Sequence, residues 1–173
     1  NFYKPPIIVV DPVMVSKSGY RLLAPDACET LIKELLPIAT LVTPNLPEAS
    51  VIVGYEVNNK EDMLRAAKDI IDLGAKSVLM KGGHLHDSAD DLLYNGTEEK
   101  WFTGERINTK NTHGTGCTLS SALAANLALG LSLPEAVRVS KEYITAAIKN
   151  SLDIGSGCGP THHFVNLYRK AGL

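Results

Sequence analysis

Three cysteines in 173 residues (Cys28, Cys117 and Cys158) are too sparse, and odd in number, for a secreted disulfide framework. Free thiols and a cytoplasmic setting are therefore expected. No apolar run approaches the roughly 20 residues that span a bilayer, and no basic segment leads into an apolar one as in a secretory signal. A membrane is not an expected partner. The 17 basic and 19 acidic residues leave a formal charge of -2, with no basic block dense enough to follow a phosphate backbone. Nucleic acid is not expected either. A Walker loop would need Gly-Lys-Ser/Thr, which does not occur, and a dinucleotide fingerprint would need glycine where Leu119 stands.

What is present fits a soluble globular domain, with 45% hydrophobic and 21% charged residues over a length that supports one core. One domain, residues 1–173, is the expectation. The run Ile7 to Val10 reads as a buried strand, so the chain enters a fold almost at once. "APDACETLIKELLP" then places Leu31, Leu35 and Leu36 on one helical face and stops at Pro37, and "ATLVTPN" reads as a second strand. "KEDMLRAAKDIIDLGA" is an amphipathic helix with Gly74 at its end, followed by a strand in "SVLMKGG". This order predicts a largely parallel sheet. Two or three short strands separated by Asn95-Gly96 and Thr103-Gly104 predict an antiparallel edge, followed by helices over about Thr115 to Leu129 and Leu133 to Lys149 and a short last helix.

Ligands in such sheets gather beyond the carboxyl ends of the parallel strands, here "DPVM", "TPNLPE" and "KGGH". Asn45 and Glu48 have the spacing of a helix cap, and also of an amide and a carboxylate that could hold a hydrated magnesium ion. Asp11 could add a second carboxylate or cap its own turn. Lys81 could meet a phosphate as a point charge, or be a surface lysine with a snorkelling stem. Gly114-Thr115-Gly116, opening a helix, would make a nest of N–H groups for an anion, although the small residues after it also suit tight packing. Cys117 lies in the first turn, where the helix dipole favours a thiolate that could act as nucleophile or base; the plainer reading is a small buried hydrophobe. Cys28 reads as packing. Cys158, His162 and His163 lack a fourth ligand at zinc spacing.

Together "VVDPVM", "TPNLPEA", "MKGGH" and "NTHGTGCTLSSALAANLALG" stand in an order that resembles the ribokinase-like superfamily, and within it the hydroxymethylpyrimidine and phosphomethylpyrimidine kinases of thiamine biosynthesis. The resemblance covers nearly the whole chain. It implies a three-layer α/β/α fold with a largely parallel central sheet and an antiparallel edge, matching the C-terminal two-thirds of the family fold without its first strands. It implies ATP and Mg2+ as cofactors and a small pyrimidine as substrate. Gly114, Thr115, Gly116 and Cys117 would form the anion hole, with Cys117 also the base for the substrate hydroxyl. Lys81 would meet phosphate, Glu48 and Asp11 would hold the metal, Asn45 would orient its waters, and Val13 would line the pyrimidine pocket. A pyridoxal or pyridoxine kinase shares the His-Gly-Thr-Gly-Cys turn and is the alternative activity; an inactive nucleotide-binding fragment is the alternative outside the enzymes. An open sheet edge would make a homo-oligomer plausible.

Overall fold

The computed structural model describes residues 3–15, 20–86 and 88–172. The chain divides into two compact units, Asn1–Arg106 and Ile107–Leu173.

In the first unit strands and helices alternate: β1 (Val9–Val10), α1 (Pro25–Thr30), β2 (Leu41–Val42), α2 (Leu46–Val53), α3 (Lys60–Asp72), β3 (Val78–Met80), β4 (Asp91–Tyr94) and β5 (Glu99–Phe102). The strands lie in chain order across one sheet. β1, β2 and β3 run parallel, while β4 and β5 add antiparallel to the far side. The parallel part and the antiparallel edge are thus those expected from the sequence, although Thr103-Gly104 begins no third strand; the Gly104 N–H instead donates to the Asp90 carboxylate at 2.9 Å. β1 is shorter than the expected Ile7 to Val10, though the Ile8 carbonyl already accepts from the N–H groups of Thr40 and Leu41 at 2.8 and 3.1 Å.

The helix expected up to Pro37 does not keep one geometry. After α1 the backbone widens to a π turn over Leu31–Leu35 and tightens to a 3₁₀ turn over Leu36–Ile38. Pro37 has no N–H to donate to the preceding turn, so the α register is lost before it. Of Leu31, Leu35 and Leu36 only Leu36 is fully buried.

Helix α3 has the spacing of an amphipathic helix, and its stripe Met63, Ala66, Ala67 and Ile70 is fully buried. These residues share a core with Val42, Val78, Met80 and Leu92 from one face of the sheet, and Cys28 packs against that core as expected. Period-two alternation sends Leu41, Leu79 and Leu93 to the opposite face, where they are buried as well.

The second unit contains α4 (Thr115–Ala128), α5 (Leu133–Lys149) and α6 (Val165–Lys170). α4 buries Leu119, Leu123 and Leu127, and α5 buries Ala136, Val137, Ser140, Ile144 and Ala147. The small residues permit close approach, and Asn126 Nδ2 donates to Ser140 Oγ at 3.0 Å across the pair. Among the described residues no helix is long and apolar enough to cross a membrane.

Candidate active site

The loops after β1, β2 and β3 come together because neighbouring parallel strands end at the same side of the sheet. Beyond the paired strands the alignment continues through a parallel bridge between Asn45 and Lys81 and through the Lys81 N–H, which donates to the Pro44 carbonyl at 2.8 Å. This brings Asp11, Asn45, Glu48 and Lys81 into one group. The Lys81 ammonium donates to Asp11 Oδ1 at 2.7 Å and lies 3.9 Å from Glu48 Oε2. Its side chain is only 13% exposed, so it is no surface lysine.

Asn45 and Glu48 form a reciprocal cap on α2: Asn45 Oδ1 accepts the Glu48 N–H at 2.9 Å, and Glu48 Oε2 accepts the Asn45 N–H at 2.9 Å. The capping reading of this spacing therefore holds, and the same geometry aims a buried carboxylate at Lys81. Burial pushes the Glu48 carboxyl above its usual range, by more than the Lys81 ammonium and the Asn45 N–H draw it down. Asp11 closes its turn with its backbone carbonyl, which accepts the Val13 N–H at 2.9 Å, so its side chain is left for the charged group. Val13 itself is 43% exposed on that turn.

The loop that carries Lys81 is pinned from behind. The Gly82 N–H donates to Asp91 Oδ1 at 2.9 Å, and the Arg106 guanidinium donates to the carbonyls of Gly83 and Leu85. A Cβ at position 82 would lie 1.8 Å from the Asp90 carbonyl oxygen, which only glycine avoids. Asp90 also receives the Lys60 ammonium at 2.7 Å.

In the second unit the mouth of α4 is shaped by Gly114, whose φ of +78° is the left-handed conformation that glycine adopts without strain. The first N–H to bond inside the helix is that of Thr118, to the Gly114 carbonyl at 2.9 Å, while the Thr115 N–H reaches Thr112 O at 3.4 Å. The N–H groups of Gly116 and Cys117, between them, belong to the free first turn of a helix, where an anion is favoured. Cys117 is exposed, which overturns the reading of a small buried hydrophobe. It borders a hollow of about 500 Å³ together with Gly114, Thr118, Ser121, Tyr143 and His163. His163 Nε2 is 3.0 Å from Thr118 Oγ1, and Tyr143 donates to the His163 carbonyl at 3.0 Å.

Segment 109–113 before α4 is held by the chain's tail. Asn111 is buried, its Oδ1 accepts the Gly159 N–H at 3.0 Å, and the His113 N–H donates to the Gly159 carbonyl at 3.0 Å. The three residues weighed for zinc go separate ways: Cys158 Sγ donates to the Lys110 carbonyl at 2.8 Å, the His162 ring packs edge-on to Tyr168, and His163 turns to Thr118.

Sequence reasoning passed over Thr43, Asn111 and Tyr143, and weighed His163 only as a zinc ligand. Thr43 is fully buried, with its hydroxyl 3.1 Å from Asp11 Oδ1, and its signal was a polar residue ending an apolar strand just before Pro44. Asn111 stood inside a motif that reads first through its glycines and cysteine. Tyr143 had no local signal on α5.

A mixed sheet with helices, three strand-end loops and a glycine-started helix defines this chain as a ribokinase-like α/β fold. The family described as phosphomethylpyrimidine kinase matches residues 1–162, and the chain belongs to it. It is 49% identical over 155 residues to the hydroxymethylpyrimidine/phosphomethylpyrimidine kinase of Streptomyces coelicolor, a match covering 90% of this chain and 58% of that protein. Among solved structures it is similar to the ADP complex of Bacillus subtilis pyridoxal kinase, with a TM-score of 0.85 and 44% identity, covering 92% of this chain and 61% of the other. It is also similar to phosphomethylpyrimidine kinase from Clostridium difficile 630, with a TM-score of 0.75 and 51% identity, covering 86% and 60%. The chain therefore spans about three-fifths of the length of these relatives.

Proposed function

We propose that this chain carries the phosphate-handling part of an ATP- and magnesium-dependent kinase that phosphorylates hydroxymethylpyrimidine and its monophosphate in thiamine biosynthesis. The observation that carries the reading is the mouth of α4, where an exposed thiol stands in the first turn after a left-handed glycine. The family match runs through both compact units, which supports reading residues 1–173 as parts of one catalytic domain.

Phosphoryl transfer depends mainly on positioning and charge stabilisation. Cys117 Sγ accepts the proton of the substrate hydroxyl as that oxygen attacks the γ-phosphorus and the bond to ADP breaks. The N–H groups of the Gly114–Cys117 turn take up the charge that develops on the transferred phosphoryl oxygens. Lys81 neutralises phosphate oxygens as a point charge, and Val13, exposed on its turn, offers an apolar surface to the pyrimidine ring.

For magnesium the donor chemistry fits. Asp11 and Glu48 supply hard carboxylate oxygens, Asn45 an amide that could orient waters, and a cation, the Lys81 ammonium, already sits against both carboxylates. Among the described residues no group of three metal-binding side chains occurs. An ion here would thus lean on water and on phosphate oxygens, as magnesium does. Bound there, magnesium would neutralise the phosphate oxygens of ATP and draw negative charge away from phosphorus.

The test is ADP release from ATP and magnesium, comparing hydroxymethylpyrimidine with pyridoxal as acceptor, on the full-length protein containing this chain. Turnover of the pyrimidine in preference to pyridoxal is the expected result. Preference for pyridoxal would move the substrate to the other vitamin, and ATP binding without transfer to either ring would overturn the kinase reading.

A further inference from the structure

We propose that the Lys81 ammonium is the resident counter-ion of the Asp11 and Glu48 carboxylates, and that a divalent cation competes with it for them, so that seating the cation frees Lys81 for phosphate. This rests on the reading of those carboxylates as a metal site.

The geometry places one ammonium between two carboxylates, 2.7 Å from Asp11 Oδ1 and 3.9 Å from Glu48 Oε2. All three side chains are withdrawn from water, at 13, 12 and 4% exposure for Lys81, Asp11 and Glu48. Charges so placed must be paired, because an unpartnered one loses its hydration without compensation. With both carboxylates ionised the group carries one positive and two negative charges, a net charge of -1 that repels an incoming polyphosphate. Adding a divalent cation changes the sum to +1, which attracts it. Lys81 is bonded to Asp11 through one of its three N–H donors, but its single charge is outweighed by the two carboxylates it faces, so the cation does two things at once: it reverses the local charge and it releases the ammonium.

Thr43 makes the exchange possible without loss of the site. Its hydroxyl, fully buried, lies 3.1 Å from Asp11 Oδ1, the same oxygen that Lys81 holds. When the ammonium leaves, that hydroxyl still fixes the carboxylate. Glu48 is fixed independently by the Asn45 N–H on its Oε2. The cation and the phosphate thus bind with positive coupling, and the nucleotide-free protein holds divalent cations weakly because its own lysine occupies their place.

The measurement is Mn2+ binding to the nucleotide-free, full-length protein, followed by the electron paramagnetic resonance of free Mn2+. Lys81→Met, which removes the competing charge, is expected to bind Mn2+ about tenfold tighter or more, while Lys81→Arg stays near the wild type. Equal Mn2+ affinity in wild type and Lys81→Met would overturn the counter-ion role and leave the metal site standing. No Mn2+ binding by either, even with a non-hydrolysable ATP analogue present, would overturn the metal reading and the inference with it. A second measurement needs no variant: the acetylation rate of Lys81 in the wild type, read by mass spectrometry, should rise several-fold on adding Mg2+ and not on adding NaCl of equal ionic strength. A rate unmoved by Mg2+ would overturn the release of Lys81.

Discussion

In the first unit the centre of the candidate group is three charged side chains withdrawn from water and set against one another, whereas in the second it is backbone N–H groups and one exposed thiol at a helix start. Lys81, Asp11 and Glu48 need partners because each would otherwise be a lone charge away from solvent. The mouth of α4 needs none, since the first N–H groups of a helix are free by construction. The first arrangement depends on three strands being in register. The second depends on a few consecutive residues. Side-chain changes should therefore disturb the first unit's group through packing and charge, and the second unit's through chemistry alone.

The largest effect tests the second arrangement. Cys117→Ser in the full-length protein is expected to lower phosphoryl transfer by about 10²- to 10⁴-fold, the usual contribution of a general base, with ATP binding little changed because the backbone nest remains. Equal loss of transfer and binding would make Cys117 structural and erase the contrast.

Two glycine replacements then separate crowding from dihedral strain. Gly82→Ala puts a methyl 1.8 Å from the Asp90 carbonyl oxygen and should cost about 2–4 kcal/mol in denaturant unfolding, as for other forced core displacements. Gly114→Ala meets nothing within 4 Å but must hold a φ of +78°, and should cost only about 1–2 kcal/mol. Equal costs would mean that the Lys81 loop is less firmly pinned than its contacts require.

Glu48→Gln keeps the cap, since an amide oxygen still accepts the Asn45 N–H, but removes a carboxyl that burial has shifted upward. A carboxyl raised on folding contributes stability that is present below its ordinary value, near 4.5, and lost as pH rises through the shifted value. Urea midpoints should therefore shift in the variant's favour, relative to wild type, as pH is raised from about 4 to about 7. A gap that does not change with pH would show that Lys81 fully offsets the burial of Glu48.

The smallest effect lies outside both groups. Tyr55, whose hydroxyl donates to Asp69 Oδ2 at 2.5 Å, is pushed up to about 12 by burial and then by that bond. Its contribution to stability is lost as pH rises through about 12, so ultraviolet titration should find a phenol ionising near 12 that Tyr55→Phe removes. Tyr55→Phe should cost about 1 kcal/mol, the usual worth of one hydrogen bond.

Much of the fold was legible because its elements are marked locally. The apolar period of residues 60–72 predicted α3, a helix was expected over about Leu133 to Lys149 where α5 lies, and Asn95-Gly96 predicted the turn between β4 and β5. The departures are equally physical. Residues 24–37 read as one helix stopping at Pro37 because periodicity registers side chains and not which carbonyl each N–H reaches, so the π and 3₁₀ turns over Leu31–Leu35 and Leu36–Ile38 were not legible. Asn45 and Glu48 were legible as a cap and as a carboxylate site, and the capping half needed only their spacing. Thr43 was not legible as a partner of Asp11, because nothing near either residue in the chain encodes a contact 32 residues apart.

The order of the elements, the glycine-started helix with its thiol and the reciprocal cap on α2 followed from the sequence by itself, since each is an interaction among residues a few positions apart. Only the tertiary structure decided that Lys81 would be withdrawn from water and paired with Asp11, 70 residues away, and that Cys117 would face a hollow beside His163. The reason is that the partner of a buried charge is chosen by which strands pair and in what register, and that choice minimises the free energy of the whole sheet rather than of any segment.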